Sequence, residues 1–342
     1  MTRVWGAIQN AGTWLQKRDS AQAVILMYHR IACPELDPWR LSVTPQHFAE
    51  HLAIIRQQAQ PMSLQELAAA RRDGDVPRRA VVITFDDGYA DNLHQAKPLL
   101  EKYNIPATVF VTTGHLNSTR EFWWDELERV LLTPGRLPET LHLTIAGRPK
   151  LWHLGEAANY TAEDFEGDRD RQAWEGLPNS RLAFYYSVWD ALRKLPADQQ
   201  QTLQDEILAW ATTSAQARAD YCALTTEELF KLEQDGLVEI GAHTVTHPSL
   251  PAHSLTFQHK EIYSSKITLE QLLKHPVKSF AYPFGDLDKT SVSIVEKCGF
   301  EQACSTIQLK VLKGSEELKL PRLEAKNWTS SVFKKNLEIW LG

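Results

Sequence analysis

The sequence predicts a parallel α/β architecture, the class to which (β/α) barrels belong. Short apolar segments typical of strands alternate with segments of helical periodicity, as in chains built from strand–helix–strand units. The segment 81–85 is almost entirely apolar, which is typical of a strand covered on both faces. The chain has 342 residues, of which 43% are hydrophobic and 23% charged, and this suits one barrel domain with an insertion.

The predicted elements follow the chain in order. The first strands are expected near residues 23–28, 81–85 and 107–111. Helices are expected at 45–59, begun by Thr44 as the N-cap, at 63–72, begun by a capping box at Ser63, and at 90–103. The alternation resumes with a helix after residue 225. The remaining strands are predicted near 238–240, 279–282, 303–306 and 320–323, and a last helix near 330–340.

Between these two parts lies a stretch without strand–helix alternation. Residues 133–220 are polar and rich in tryptophan, and they predict a mainly helical insertion inside a single domain that spans residues 1–342. Within the stretch we expect a small strand at 141–145 and helices at 181–195 and 197–211.

Composition argues against several classes of protein. A formal net charge of -6 and no long basic run argue against a nucleic-acid partner. No segment approaches the roughly 20 apolar residues of a transmembrane helix. The four cysteines have no paired spacing, which predicts reduced thiols and a cytoplasmic location. Residues 1–18 make a poor signal peptide, although removal of a leader is left open, and their apolar side chains allow an amphipathic helix at a membrane surface: Trp5, Ile8, Trp14 and Leu15.

Acidic and imidazole side chains follow two of the predicted strands. Asp86 and Asp87 follow the strand at 81–85, and His243 and His247 follow the strand near 238–240. Because the carboxyl ends of barrel strands meet at one face, these side chains are expected to converge. One carboxylate and two imidazoles can bind a divalent ion, and the second carboxylate is left as a base. Taken singly, the Asp-Asp-Gly segment is also a turn signal, and the histidines are equally compatible with a structural pair.

Two motifs give this arrangement a family resemblance. Residues 84–89 (TFDDGY) and 243–247 (HTVTH) resemble the first two motifs of the NodB-type polysaccharide deacetylases. The resemblance implies a distorted, TIM-like (β/α) barrel of seven or eight strands and the removal of acetyl groups from N-acetylated sugars. It implies Asp86 as catalytic base and Asp87, His243 and His247 as metal ligands. It covers roughly residues 23–114 and 236–324.

The chain departs from the family pattern at its other motifs. In residues 280–285 (FAYPFG), Ala281 stands where the family has an arginine that orients the base, and Arg322 is the candidate replacement. Phe284 stands at a tyrosine position whose backbone N–H is expected to stabilise the oxyanion, a role that any residue can fill. No histidine follows His275, so the family's usual acid is missing. The segment 26–30 (LMYHR) resembles the opening of the poly-N-acetylglucosamine deacetylase branch, which implies His29 as the acid.

The predicted activity is therefore metal-dependent hydrolysis of N-acetyl groups on N-acetylhexosamine units of a glycan or glycolipid, with metal-bound water attacking the acetyl carbonyl. Zinc is the first expectation for the ion, and cobalt, nickel, iron and manganese stay open. The substrate could be lipid- or nucleotide-linked at the inner membrane face. Three other functions remain open: an O-acetyl esterase, an inactive glycan-binding domain and a small-molecule amidase.

Overall fold

The computed structural model describes residues 21–342, and strands alternate with helices over most of this range. The strands are β1 Ala21–Tyr28, β2 Arg30–Ile31, β3 Ser42–Val43, β4 Gln60–Pro61, β5 Ala80–Phe85, β6 Ala107–Val111, β7 Gly135–Arg136, β8 Thr140–Ile145, β9 Arg148–His153, β10 Asn159–Tyr160, β11 Val238–Ala242, β12 Ser279–Ala281, β13 Gln302–Cys304, β14 Val311–Leu312 and β15 Leu323–Glu324.

The helices pack outside the central sheet and within the insertion. They are α1 Pro45–Gln58, α2 Leu64–Asp73, α3 Lys97–Tyr103, α4 Trp123–Leu132, α5 Ala162–Asp168, α6 Arg181–Leu192, α7 Ala197–Trp210, α8 Thr226–Glu233, α9 Leu255–Leu273, α10 Lys289–Lys297 and α11 Ser330–Leu341. Thr44 caps α1, and Ser63 forms the predicted capping box of α2. The helix predicted at 90–103 includes a π-helical segment, Asn92–Ala96, before α3 begins.

The central sheet is parallel and curls on itself. Its strands lie in the order β13, β12, β11, β6, β5 and β1, and the short β14 adds antiparallel to β1. At the β13 edge the backbone N–H of Leu320 donates to the carbonyl of Ala303 (2.8 Å), and three residues later Leu323 pairs with Leu26 of β1. The segment 320–324 therefore contacts both edges of the curled sheet.

The predicted distorted α/β barrel is confirmed in the form of this curled half-barrel. A regular TIM-like barrel is not formed. Within residues 21–342, the gap between β13 and β1 is spanned by the two-residue β15 and by one isolated bridge, between Cys304 and Leu320. Strands this short cannot supply the continuous ladder of hydrogen bonds that closes a regular barrel.

The barrel and the insertion have separate hydrophobic cores. The barrel core lies between the sheet and its helices, and the six residues of β5 are all buried. A second core joins α4 to the strands and helices of residues 133–220. The expected strand and helices are present there as β8, α6 and α7. The β8–β9 hairpin makes this region less helical than predicted.

One buried arginine connects the insertion to helix α4, which precedes it in the chain. The guanidinium of Arg181 is almost fully buried and donates to the carbonyls of Ala157 (2.6 Å), Ala158 (2.9 Å) and Leu131 of α4 (3.0 Å). These bonds satisfy carbonyls at element ends that would otherwise be buried without a donor. They hold the insertion against α4.

Two sequence predictions concern membranes and thiols. Among the residues that the structure describes, no helix is long and apolar enough to cross a bilayer. The predicted amphipathic helix that includes Trp5 and Trp14 lies outside the described residues. All four cysteines are free thiols, as expected.

Candidate active site

The end of β5 turns sharply, and the turn directs its two acids to different partners. The backbone N–H of Asp86 still donates to the carbonyl of Tyr28 (3.0 Å), as if the strand continued. Asp87 then adopts a φ of 75° and Gly88 a φ of 85°. Left-handed backbone is uncommon for residues other than glycine, and such strain concentrates at functional sites. Both carboxylates are buried, with 3% of each residue exposed.

The two histidines lie in a loop that follows β11, not on a helix. Thr244 and His247 have φ values of 64° and 58°, so the loop is tightly coiled. Glu261 of α9 binds the backbone of this loop. One of its carboxylate oxygens accepts the backbone N–H groups of Val245 (3.0 Å) and Thr246 (2.8 Å). The other oxygen accepts the hydroxyl of Thr246 (3.0 Å). These bonds fix the loop conformation that places His243 and His247 side by side.

Asp87, His243 and His247 form the predicted cluster of metal-ligand types. Their donor atoms lie within 4.8 Å of one another. Oδ1 of Asp87 is 3.5 Å from Nε2 of His243 and 3.3 Å from Nε2 of His247. Burial alone would raise the pKa of Asp87, but its interactions with the two imidazoles outweigh burial and hold the pKa well below its usual range.

The chemistry of this donor set fits a divalent cation. The Nδ1 of His243 lies 2.8 Å from the carbonyl of Ala281, so Nδ1 carries the proton and the lone pair of Nε2 faces Asp87. Burial lowers the pKa of His247 despite the nearby carboxylate, which favours a neutral imidazole. A carboxylate and two neutral imidazoles leave a buried negative charge that a cation would balance.

Arg322 is the partner of Asp86. Its Nη1 lies 2.7 Å from Oδ1 of Asp86 and its Nη2 lies 2.6 Å from Oδ2, a two-pronged pair with the arginine fully buried. The guanidinium also donates to the carbonyl of Ser305 (2.9 Å) and to the hydroxyl of Thr84 (3.1 Å). Burial would raise the pKa of Asp86, but the charge and hydrogen bonds of Arg322 hold it below its ordinary value. Asp86 is therefore an oriented carboxylate.

The structure brings the other predicted residues to the same cleft. His29, Asp86, Asp87, His243, His247 and Phe284 all line a cavity of about 610 Å³. Arg322 does not line the cavity and lies behind Asp86. Phe284 has a φ of 58° and its ring packs edge-on against His247, with centroids 4.5 Å apart. The carbonyl of His29 accepts the side-chain N–H of Asn92 (2.9 Å), which anchors the turn after β1.

Sequence reasoning missed the opposite wall of the cleft. The insertion contributes Trp174, Trp189 and Arg193, and the segment between β2 and β3 contributes Trp39. Two tryptophans of α4, Trp123 and Trp124, are both buried. Trp124 lines the cleft and packs on the ring of His247 at 4.8 Å. The high tryptophan content of residues 133–220 was the available signal, but it did not show which rings face the cleft.

A comparison with family models matches this part of the chain. The model described as polysaccharide deacetylase matches residues 73–134 and 206–303. These segments contain Asp86, Asp87, His243, His247 and Phe284, and they flank most of the insertion.

Two curated relatives resemble part of the chain. A putative polysaccharide deacetylase, YxkH, of Bacillus subtilis is 31% identical over 117 residues, which cover 33% of this chain and 40% of the relative. A poly-beta-1,6-N-acetyl-D-glucosamine N-deacetylase of Staphylococcus epidermidis is 32% identical over 118 residues, covering 30% and 40%. The matches thus span about two fifths of the length of these relatives.

Solved structures resemble the chain over nearly its whole length. The deacetylase PplD of Streptococcus pyogenes, in complex with acetate, aligns with a TM-score of 0.58 and 20% identity and covers 94% of this chain and 99% of that one. IcaB from Ammonifex degensii aligns with a TM-score of 0.57 and 16% identity, covering 94% and 97%. At such identities the likeness concerns the fold. Together with the family match, it confirms the resemblance to NodB-type polysaccharide deacetylases that the two motifs indicate.

Proposed function

We propose that this protein is a metal-dependent deacetylase that removes N-acetyl groups from N-acetylhexosamine units of a glycan or glycolipid. The observation that supports the proposal most directly is that the two adjacent acids have different partners. Asp87 faces the histidines, whereas both carboxylate oxygens of Asp86 are bound by Arg322. A binding module has no need for a second, oriented carboxylate beside a metal cluster. The names of the curated relatives support the same chemistry.

Asp87, His243 and His247 would hold one divalent ion, with zinc as the first candidate. When bound, such an ion supplies Lewis-acid activation of a water molecule and of the acetyl carbonyl. The carbonyl of Ala281 keeps His243 in the tautomer that ligation requires. Glu261 keeps both histidines in place through the loop that carries them.

Asp86 acts as the general base. Its carboxylate takes a proton from the attacking water, and the pair with Arg322 keeps it ionised and correctly turned before the reaction. Arg322 therefore replaces the arginine that is missing at Ala281. It reaches the same acid from the segment that bridges the two edges of the sheet.

Phe284 and His29 serve the later stages of the reaction. The left-handed backbone at Phe284 turns the segment 283–285 toward the cleft, and the backbone N–H of Phe284 donates to the developing oxyanion. The imidazole of His29 gives its proton to the leaving amine. An ester leaving group needs this proton less than an amine does. Amide hydrolysis should therefore depend on His29 more strongly than ester hydrolysis.

Acetate release from a substrate panel tests the proposal. The panel contains chitooligosaccharides, β-1,6-linked N-acetylglucosamine oligomers, an N-acetylhexosamine nucleotide sugar and an aryl acetate. We expect acetate from at least one N-acetyl sugar. Release from the aryl ester alone would replace the proposal with an esterase, and release from a simple amide but from no sugar would replace it with a small-molecule amidase.

The setting of the reaction is also a proposal. A lipid- or nucleotide-linked acceptor and a cytoplasmic location at the inner membrane face follow from the sequence expectations. Cell fractionation tests the location, since recovery of the protein outside the cytoplasm would contradict it.

A further inference from the structure

Trp174 is a large aromatic side chain that lines the cleft and yet faces solvent. Half of the residue (52%) is exposed, although tryptophan is normally well buried in folded proteins. An exposed aromatic face inside a cleft is a common feature of ligand sites, because a ligand can cover it.

The short turn that carries Trp174 is firmly held. The backbone N–H of Gln172 donates to the carboxylate of Glu175 (2.8 Å), which closes a capping box around the turn Ala173–Glu175. Ala173 is fully buried, and its N–H donates to the carbonyl of Pro38 (2.8 Å). The indole is therefore presented from a rigid support.

The indole continues an aromatic surface that begins at the metal cluster. The ring of His247 contacts Phe284 (centroids 4.5 Å apart), which contacts Trp189 (6.1 Å). Trp189 lies against Trp39 at 4.1 Å, and Trp39 lies 5.9 Å from Trp174. All of these residues line one cavity. The surface extends from the proposed site of hydrolysis to the indole of Trp174, which is exposed to solvent.

We propose that Trp174 stacks on a sugar ring next to the one whose N-acetyl group is hydrolysed. Pyranose rings have an apolar C–H face that packs well on an indole, so the second ring would cover the exposed face. The substrate is then an oligosaccharide or longer chain of at least two sugar units. This inference rests on the proposed deacetylase function and deepens it.

The proposed sugar contact belongs to the insertion, because Trp174 lies within residues 133–220. Trp174 lies between the two segments that the polysaccharide deacetylase model matches, 73–134 and 206–303. Its nearest aromatic partner, Trp39, precedes both segments. The subsite is therefore assembled from parts of the chain outside the matched motifs, and it sets the preferred length of the substrate without changing the hydrolytic groups.

The test measures kcat/KM for acetate release from N-acetylglucosamine and from its di- and trisaccharides. In the wild type, kcat/KM should rise from the monosaccharide to the trisaccharide. Trp174→Ala should remove most of that rise, with a loss of about 10-fold on the trisaccharide, and Trp174→Phe should lose less. Leu177→Ala is the matched control, because Leu177 is an exposed apolar residue three positions away that does not line the cleft, and it should behave as the wild type.

A binding measurement separates this inference from the proposed function. Calorimetric titration of the trisaccharide into Asp86→Asn protein, with and without Trp174→Ala, needs no turnover. An affinity about 10-fold weaker without the indole supports the subsite, whereas equal affinity, or no binding to either protein, overturns it. If the wild type releases no acetate from any saccharide, the proposed function fails, and the titration still decides whether Trp174 binds sugar.

Discussion

Replacement of Arg322 by alanine gives the sharpest prediction about how the site is held. The arginine is fully buried, and its two nitrogens lie 2.6 and 2.7 Å from the two oxygens of Asp86. The variant leaves a buried carboxylate without its countercharge. Breaking a buried pair in this way typically costs about 3–5 kcal/mol of stability. For a chain of this size we expect the thermal midpoint to fall by about 4–7 °C.

The activity of the variant should fall further than its stability explains. Without the guanidinium, Asp86 loses both its orientation and the interaction that keeps it ionised. General-base catalysis typically contributes about 100- to 10,000-fold, so kcat for acetate release should drop by at least about 100-fold at a temperature where the variant is folded. Arg322→Lys keeps the charge but cannot make the two-pronged contact, and we expect an intermediate loss.

A double variant separates the two effects. Arg322→Met combined with Asp86→Asn removes both charges, so much of the lost stability should return while activity stays low. Differential scanning calorimetry and acetate release would be measured on the four proteins of the cycle: the wild type, Arg322→Met, Asp86→Asn and the double variant. A midpoint and a kcat like those of the wild type in Arg322→Ala would refute the assigned role of this pair.

The pH dependence of stability follows from the same pair. The pKa of Asp86 is held below its ordinary value, so its stabilising contribution is present above the unfolded-state pKa and is lost as the pH falls through the folded-state pKa. In Arg322→Ala the guanidinium no longer opposes the effect of burial, so the pKa of Asp86 should rise. The stability difference between wild type and variant should therefore be largest near neutral pH and shrink in acid, which thermal melts at several pH values would measure.

Four further substitutions test the other parts of the site. Asp86→Asn should retain bound metal by elemental analysis but lose most turnover, whereas His243→Ala should lose metal and activity together. Glu261→Ala should weaken metal affinity by about 10- to 100-fold in a competition titration, because the loop that carries both histidines loses its three hydrogen bonds to this side chain. His29→Ala should reduce acetate release from an N-acetyl sugar far more than from an aryl acetate, and equal losses on both substrates would argue against its role as the acid.

The convergence of the two acids and two histidines was predictable because these residues follow strands. In a parallel sheet the carboxyl ends of strands share one edge, so the positions of Asp86, Asp87, His243 and His247 along the chain were sufficient to bring them together. Arg322 was predictable for a related reason, since it follows a short apolar segment near the end of the chain. Its complete burial and two-pronged contact depend on the curl of the sheet, which no local pattern reports.

The aromatic wall and the closure of the sheet were not predictable in the same way. Trp39 and Trp174 are more than a hundred residues apart in the sequence, and yet their rings are in contact. Trp174 lies in the part of the chain without strand–helix alternation. Glu261 is one acid among many on helices, and its contacts depend on how α9 packs against the histidine loop. The two-residue strand β15 is too short to show a periodicity, so the difference between a half-barrel and a regular barrel was invisible in the sequence.

Metal reconstitution tests the central claim most directly. Metal-stripped protein would be titrated with zinc, cobalt or nickel, and bound metal and acetate release from an N-acetylglucosamine oligomer would be measured on the same samples. We predict that activity rises with bound metal and saturates at one ion per chain, and that Asp86→Asn binds the ion equally well without activity. Full acetate release by the metal-stripped protein, or by Asp86→Asn, would contradict the account.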